Sequence, residues 1–585
     1  MLQDIWKPTP FRLPPLTASD MMEQVKAMRT SAGGLDGLLV DELKTLPFSF
    51  WAMRARIENM GEKQKSWPKG QLYAYQVYVP KELDGNPLST RPLRIYNILN
   101  RIYVGVRCKQ IQQFSHAWLH ESVYGAVRGR EVYEPYLELG IDLSTAWFED
   151  QNVYGDFIDS FKHFDMYDHD VVYLLLNRLG WDVNFLDRVY EIWTNQRVVD
   201  KIAGSYGTPY TPTNGLGQGC SFSLEVVKLT ASLWCKYLDK ITPTVQKCIF
   251  IDDRCMRTHN LHEHTVAQVK TVEFDLCLGN QVNFDKSVSF SNTSQGRKRL
   301  RRKQPPKRYR LRGKCKVLHL QNKNFRIQHQ AKYLGQIVNT TKRPNKFVAN
   351  AAAKKALATA KRIRCSALKA NQKTKLVKTV VVPQLAHTMF SGIPNMNAIT
   401  SVRYRVVNSV WGRSRKMRCA EIVLTVLNKP STIDPFYGPA IRFLYNMGRI
   451  MGKNANLRNK LTSLLTLQAN ATQVKQKQDQ GFSKHLLEVL RCLYLTITPE
   501  LMLQHPIYGE FSLLERKSKW LQWRYDDVAR YAIMCNLHDR CKPDDEGNLL
   551  HPKNGRKDYL GIQPLVDVYA TSALKRGVKA YGKYK

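Results

Sequence analysis

The sequence predicts an α+β protein of several subdomains, and three observations carry that prediction. Strand-like runs end in, or turn around, carboxylates at residues 153–159 and 249–256. Helix-like stretches separate these runs and dominate everything beyond Val381-Val382-Pro383. At 585 residues the chain is also too long for one ordinary core, so two to four subdomains are expected. Hydrophobic content of 43% is ample for packing them.

Charge narrows the function. The chain has 89 Lys and Arg against 49 Asp and Glu, a formal net charge of +40. A folded chain this basic calls for a polyanionic partner, nucleic acid first and an anionic membrane surface second. No apolar run is long enough to span a bilayer and no lipidation signal is present, so no membrane partner is expected. The N-terminus, Met1-Leu2-Gln3-Asp4-Ile5-Trp6, lacks a basic segment followed by an apolar one, which argues against secretion. Twelve cysteines without framework spacing read as reduced core residues of an intracellular protein, nuclear or cytoplasmic.

In chain order, a Pro-rich irregular segment (Pro8, Pro10, Pro14, Pro15) leads to a helix at 19–29. The Gly-rich stretch Ser31 to Leu38 reads equally as a turn between helices. Helices are expected at 42–46 and 50–60, a strand within 67–79 and a basic strand edge at Arg91-Pro92-Leu93-Arg94-Ile95, reached through a turn at Asp84-Gly85-Asn86-Pro87. A long helix follows at 97–120. Tyr124 to Arg130 is a Gly-bearing loop with two arginines, suited to an anion or to plain solvation.

Next comes a short apolar strand ending in acids, Val153 to Asp165, then a helix at 170–179 stopped by Gly180. Carboxylates at a strand's end suit a metal ion. Gly215-Leu216-Gly217-Gln218-Gly219 opens a helix at 221–238, and its glycines would let another chain approach closely. At 249–256 a tight hairpin is expected whose turn carries both Asp252 and Asp253. Adjacent acids on a turn repel and call for cations. A helix is expected at 264–278.

Residues 297–316 include 12 basic residues of 20 and read as an exposed loop or hairpin that holds RNA, serves as a nuclear address or is a solvated insertion. Lys332 to Ile337 returns to strand character. In the Ala-rich helix from Ala349, Lys355, Arg362 and Lys369 recur at i+7 and could follow a phosphate backbone. Cys535, His538, Cys541 and His551 lack zinc-site spacing.

Three pieces thus occur in order: an acid-tipped strand at 159, a Gly-Gln-Gly loop at 217–219 and an Asp-Asp hairpin at 252–253. Nucleotidyl transfer needs two divalent ions about 3.5–4 Å apart, held by carboxylates converging from different strands. Here the chain resembles the reverse transcriptases, most closely those of non-LTR (LINE-type) retroelements and more distantly group II intron proteins. Asp159, Lys162, Phe164, Asp165 and His169 match the family's first motif, with His163 in place of Ala. Asp156 is a rival start, but choosing it loses the Lys, the Phe-Asp and the His together. Gly217-Gln218-Gly219 to Leu224 is similar to the Pro-Gln-Gly motif, with Gly217 and Leu224 replacing two prolines. Phe250-Ile251-Asp252-Asp253 is similar to the aromatic-x-Asp-Asp motif, where Ala is more usual than Ile. Flanking likenesses at Arg91-Pro92-Leu93, Gly279 to Lys286, Tyr333-Leu334-Gly335 and Pro383-Gln384-Leu385 extend it over roughly residues 30–400.

The resemblance implies a right-hand polymerase: an irregular segment at 1–19, fingers at 20–125, a palm of antiparallel sheet backed by helices at 126–345, a helical thumb at 346–480 and a helical region of unknown role at 481–585. It implies an RNA-directed DNA polymerase of a retroelement, working on an RNA template with a DNA or RNA primer and dNTPs. Asp159, Asp252 and Asp253 would be catalytic and would hold two Mg²⁺ (Mn²⁺ is possible). Arg91, Phe164, Gln218, Gly219 and Lys286 would serve the nucleotide, Phe164 as the ring beneath the sugar. Tyr333, Leu334 and Gly335 would form the primer grip. The alternatives are a non-catalytic or maturase-like RNA-binding protein on the same fold and a viral RNA-dependent RNA polymerase.

Overall fold

In the computed structural model, residues 5, 8–81, 90–302, 325–342, 346–390, 392–411, 420–425, 428–473, 481–515 and 519–541 are described. The fold is mixed α and β, with mostly antiparallel strand pairing. The chain divides into two compact units. The first comprises Met1–Arg130, Tyr154–Phe290 and Gln295–Gln328; the second comprises Glu131–Val153, Ser291–Ser294 and His329–Lys585.

The first unit holds two sheets. In one, β1 (Tyr73–Pro80) pairs antiparallel with β2 (Thr90–Tyr96) and parallel with β4 (Arg197–Ile202), which β5 (Ser205–Tyr206) extends. The other has the order β6-β7-β3-β8-β9, with β3 (Tyr154–Ile158) central, β6 (Gln246–Phe250) and β7 (Asp253–Thr258) a hairpin, then β8 (Val288–Ser291) and β9 (Arg326–Ile327). Every residue of β3 is buried. Helices cover these sheets around a core that includes Trp51, Tyr103, Phe185, Phe222, Trp234 and Met256.

Helix Phe48–Lys63 is unusual in burying charge. Arg54, Glu58 and Glu62 lie inside, where Arg188 contacts Glu58 and Arg107 contacts Glu62. Tyr103 donates to Glu62 at 2.6 Å, and Arg188 lies 3.9 Å from the Trp67 ring centroid. Such a set persists only because each charge is paired and hydrogen-bonded.

The second unit is mainly helical. Its core includes Leu385, Val406, Phe443, Leu444, Met447 and Leu461. It also carries a hairpin, β10 (Gln330–Tyr333) with β11 (Gln336–Asn339), and a three-stranded sheet of β12 (Thr496–Ile497), β13 (Met502–His505) and β14 (Gly509–Ser512).

The sequence places most elements within a few residues of where they lie. Helices occupy Ala18–Ala27, Ile98–Gln113, His169–Arg178, Ser221–Ile241 and Leu261–Cys277. The expected strand at 67–79 begins only at Tyr73, because a 3-10 turn at Lys69–Leu72 precedes it. The basic run does not begin as a loop: Ser294–Arg302 is helical, with Leu300 buried, and residues 303–316 lie outside the described residues. The i+7 stripe is interrupted, because its helix ends at Cys365 and Lys369 is the N-cap of the next one. The expected turn at 84–87 falls outside the described residues, as does His551. Among the described residues, no helix is long and apolar enough to cross a membrane.

Candidate active site

Strand register decides which acids meet. β3 and β7 pair antiparallel, ending at Ile158 opposite Arg254, and continuing that register by one position would bring Asp159 opposite Asp253. β6 and β7 close through Phe250 opposite Asp253. The turn residues are therefore Ile251 and Asp252, and Asp253 opens β7. This corrects the expectation that the turn carries both aspartates. A two-residue connection leaves room for one acid only, and the second is set by the ladder.

Ile251 has φ +62°, while Asp252 keeps a negative φ. That sign pattern belongs to a II′ turn, which ordinarily has glycine at the first position. A β-branched residue there is strained by about 1–3 kcal/mol. Ile251 packs on the core, and Gly125 lies so close that a Cβ on it would come 2.3 Å from the Ile251 nitrogen. Tyr124 donates its backbone N–H to Ile249 O at 2.8 Å, and Ile249 donates to Ser122 O at 2.9 Å. The loop after Ser122 thus braces the hairpin. Asp252 itself is exposed and Asp253 half-buried.

Asp159 is fixed through its main chain. Its N–H donates to Ser287 Oγ at 3.1 Å, and its carbonyl accepts from Asn283 N at 2.8 Å. Phe161 N donates to Gln281 O at 2.8 Å. Asn283 lies in the Gly279 to Lys286 likeness, and Ser287 just beyond it. Lys286 is exposed on the same segment.

Asp156 has a different environment. It is fully buried, accepts from Ser289 Oγ at 2.5 Å and from Gln268 Nε2 at 3.2 Å, and has His264 Nε2 3.1 Å away. Side chains alternate along a strand, so positions 156 and 159 face opposite sides of the sheet.

Below the hairpin, Arg254 is buried and donates to both oxygens of Asp275, at 2.8 and 2.5 Å, and to Ser160 Oγ at 3.1 Å. Asp275 lies in none of the motifs. A basic residue inside an apolar strand was the available signal, since a buried guanidinium needs a carboxylate. Burial, helped by Arg254, lowers the His163 imidazole to about 3 and keeps it neutral.

The Gly-Gln-Gly loop is less open than its sequence suggests. Gln218 O accepts from Arg94 N of β2 at 2.8 Å. A Cβ on residue 217 would lie 2.0 Å from the Tyr96 hydroxyl, and one on Gly219, at φ +127°, 2.4 Å from Arg94 O. The close approach that these glycines permit is therefore made by β2 of the same chain. On its other side the loop meets the first motif: Leu216 N donates to Phe164 O at 2.6 Å, Gly215 N to Tyr167 O at 2.7 Å, and Gln218 Nε2 lies 3.4 Å from Asp165 Oδ1. His169 reaches Gly215 O at 2.8 Å. Phe164 is half-buried and packs on the core, and Arg91 is exposed on β2.

Tyr333, Leu334 and Gly335 lie in the second unit. Leu334 and Gly335 form the β10–β11 turn with φ +48° and +79°, and the Tyr136 hydroxyl donates to the carbonyls of Tyr333 and Leu334.

Among the described residues, no three His, Cys, Asp or Glu side chains gather closely enough to hold a metal ion. The donors at the hairpin are all carboxylate oxygens, which suits Mg²⁺. That ion commonly takes one or two carboxylates and draws its other ligands from substrate phosphates and water, so a closed cage is not required.

No family model matches the chain, and no curated protein does. Among solved structures, apo telomerase from Candida tropicalis truncated from its C-terminal domain is similar over 50% of this chain and 59% of that one, at 12% identity and TM-score 0.30. Telomerase from the same organism in complex with a fragment of telomeric RNA is similar over 68% and 64%, at 10% identity and TM-score 0.31. The chain thus spans less than two thirds of either. At those scores the likeness carries no argument.

Proposed function

We propose that this chain is an RNA-directed DNA polymerase of a retroelement, extending a nucleic-acid 3′-hydroxyl with deoxynucleotides on an RNA template. The observation that carries the reading is the register that sets Asp159 beside the Asp252-Asp253 hairpin at adjacent strand ends. Asp159 and Asp252 would hold two Mg²⁺, with Asp253 assisting. When bound, the ions would activate the 3′-hydroxyl and steady the leaving pyrophosphate. The residues themselves orient substrates: Phe164 beneath the sugar, Gln218 and Gly219 near the templating pair, Arg91 and Lys286 toward the triphosphate. The β2-β1-β4-β5 sheet would serve as fingers, the β3-centred sheet as palm, the helices from Lys346 as thumb, and Tyr333-Leu334-Gly335 as primer grip.

The test is primer extension by the full chain on an RNA template, with Mg²⁺ and then Mn²⁺. Incorporation of dNTPs that Asp252→Ala abolishes, with RNA binding retained, supports the reading. No incorporation under conditions that support a control enzyme, or full activity in Asp252→Ala, overturns it. A non-catalytic, maturase-like RNA-binding protein is the second reading, favoured by the departures from the motifs at His163, Gly217, Leu224 and Ile251. It expects RNA binding without incorporation.

A further inference from the structure

The second unit exposes large aromatics where a helix meets a hairpin. On helix Lys519–Cys541, Trp520 is 44% and Trp523 59% exposed. They are three residues apart and so lie side by side on the helix surface. The Arg524 guanidinium lies 4.8 Å from the Trp520 ring centroid and 5.6 Å from that of Tyr508. Tyr508 sits in the β13–β14 turn and is held rigidly. It stacks on His505 at 4.8 Å, and its N–H donates to His505 Nδ1 at 3.2 Å. His505 is itself buried.

The result is a continuous row, Tyr508, Arg524, Trp520 and Trp523, ordered from two elements. Exposed tryptophans are costly in water, and a row of them marks a binding surface. The nearby carboxylate of Asp527 is taken by Arg530 at 2.5 Å. Arg524 also lies in the field of Asp527, but that carboxylate accepts its hydrogen bond from Arg530, so the ring-stacked Arg524 guanidinium keeps its N–H donors for an external anion. Flat rings beside a guanidinium stacked on them fit a strand that offers bases and phosphates together. On a chain of net charge +40, that strand is single-stranded nucleic acid.

We infer that Trp520, Trp523, Arg524 and Tyr508 form a stacking platform for single-stranded RNA. The site does not depend on the polymerase reading, since it uses none of the hairpin acids. None of the three rings needs a particular base, so binding is sequence-tolerant.

The test uses the full chain and oligouridine of roughly twelve nucleotides carrying 4-thiouridine. Crosslinks are mapped by mass spectrometry, and affinity is read by anisotropy at raised salt, where phosphate contacts elsewhere are weakened. Crosslinks should fall on the peptide bearing Trp520 and Trp523. The double variant W520A/W523A should lose them and weaken single-strand binding on the order of tenfold or more. W520F/W523F, which keeps rings in place, should retain most of it, and R524Q should lower the salt dependence by about one phosphate contact. Parent-like crosslinking and affinity in W520A/W523A overturn the proposal. So does a change in oligomeric state by light scattering with RNA binding unaltered, which would make the row a protein interface.

Discussion

Asp156 and Asp159 stand three residues apart on one strand and its extension, and the pleat turns them to opposite sides. Asp156 is enclosed by Ser289, Gln268 and His264, whereas Asp159 is half-buried beside the hairpin. Asp156→Ala strands buried polar partners and is expected to cost about 3 kcal/mol. Asp159→Ala should cost less, because Asp159 is only half-buried and its main-chain bonds to Ser287 and Asn283 survive the substitution. Urea unfolding separates the two, and primer extension should fail in Asp159→Ala without any loss of fold. A preference for Asp159 was legible in the sequence only through the motif register of Lys162, Phe164, Asp165 and His169, since alternation parts the two acids without choosing one. The strain at Ile251 was not, because residue type gives no sign of a positive φ where a β-branched residue stands.

Protonation acts at the same scale. Burial lowers the His485 imidazole from its ordinary 6.5 to about 4, against the opposing pull of its bond to the Met389 carbonyl. Between those values the unfolded chain takes up a proton that the folded chain refuses. The stabilising contribution is therefore complete above pH 6.5 and falls as pH drops toward 4, by about 1.4 kcal/mol per pH unit. In His485→Gln the loss of melting temperature between those pH values should be smaller than in the parent chain.

Elements act on one another through their backbones. The Gly-Gln-Gly loop reads in sequence as an opening for substrate, but β2 fills that space, with the Tyr96 hydroxyl standing where a Cβ at 217 would go. Long-range approach of this kind leaves no local pattern, so it could not be read from the loop's own residues. It also accounts for glycine where the resembled family has proline, since a proline ring would enter the same space. Gly217→Ala should cost about 1–3 kcal/mol by overpacking. Tyr96→Phe removes the clashing oxygen, so the double variant should recover part of that loss, a coupling that a double-mutant cycle measures. If the two effects simply add, the contact is not what excludes the side chain. The hairpin was readable because two apolar runs flank a short acidic turn. Its exact turn residues were set instead by pairing with β3 and by the brace at Gly125.

For the molecule as a whole, the proposed function and the charge of +40 together predict RNA binding that rests heavily on phosphate contacts. With about 6–10 such contacts, affinity should fall roughly 10³- to 10⁵-fold between about 50 and 200 mM salt. Filter binding across that range is the check, and a nearly flat response would require another account of the charge. Length already pointed to two to four subdomains, but the path of the chain between the two units was not legible. Residues 131–153 leave the first unit to pack with the second before the chain returns for β3, and no boundary signal marks that excursion. The row of exposed tryptophans was likewise hidden, since sequence does not tell an outward Trp from a core one.

The bond between Asp159 and Ser287 also sets a timetable for the nascent chain. The partners are 128 residues apart, so at ordinary synthesis rates they leave the ribosome roughly 6–26 seconds apart. β7, which supplies the facing acid, emerges within that interval. Until then Asp159 trails from an unfinished sheet with nothing to fix its backbone. On the proposed function, a half-made chain would carry much of its basic charge before the carboxylates that are to act on RNA have met.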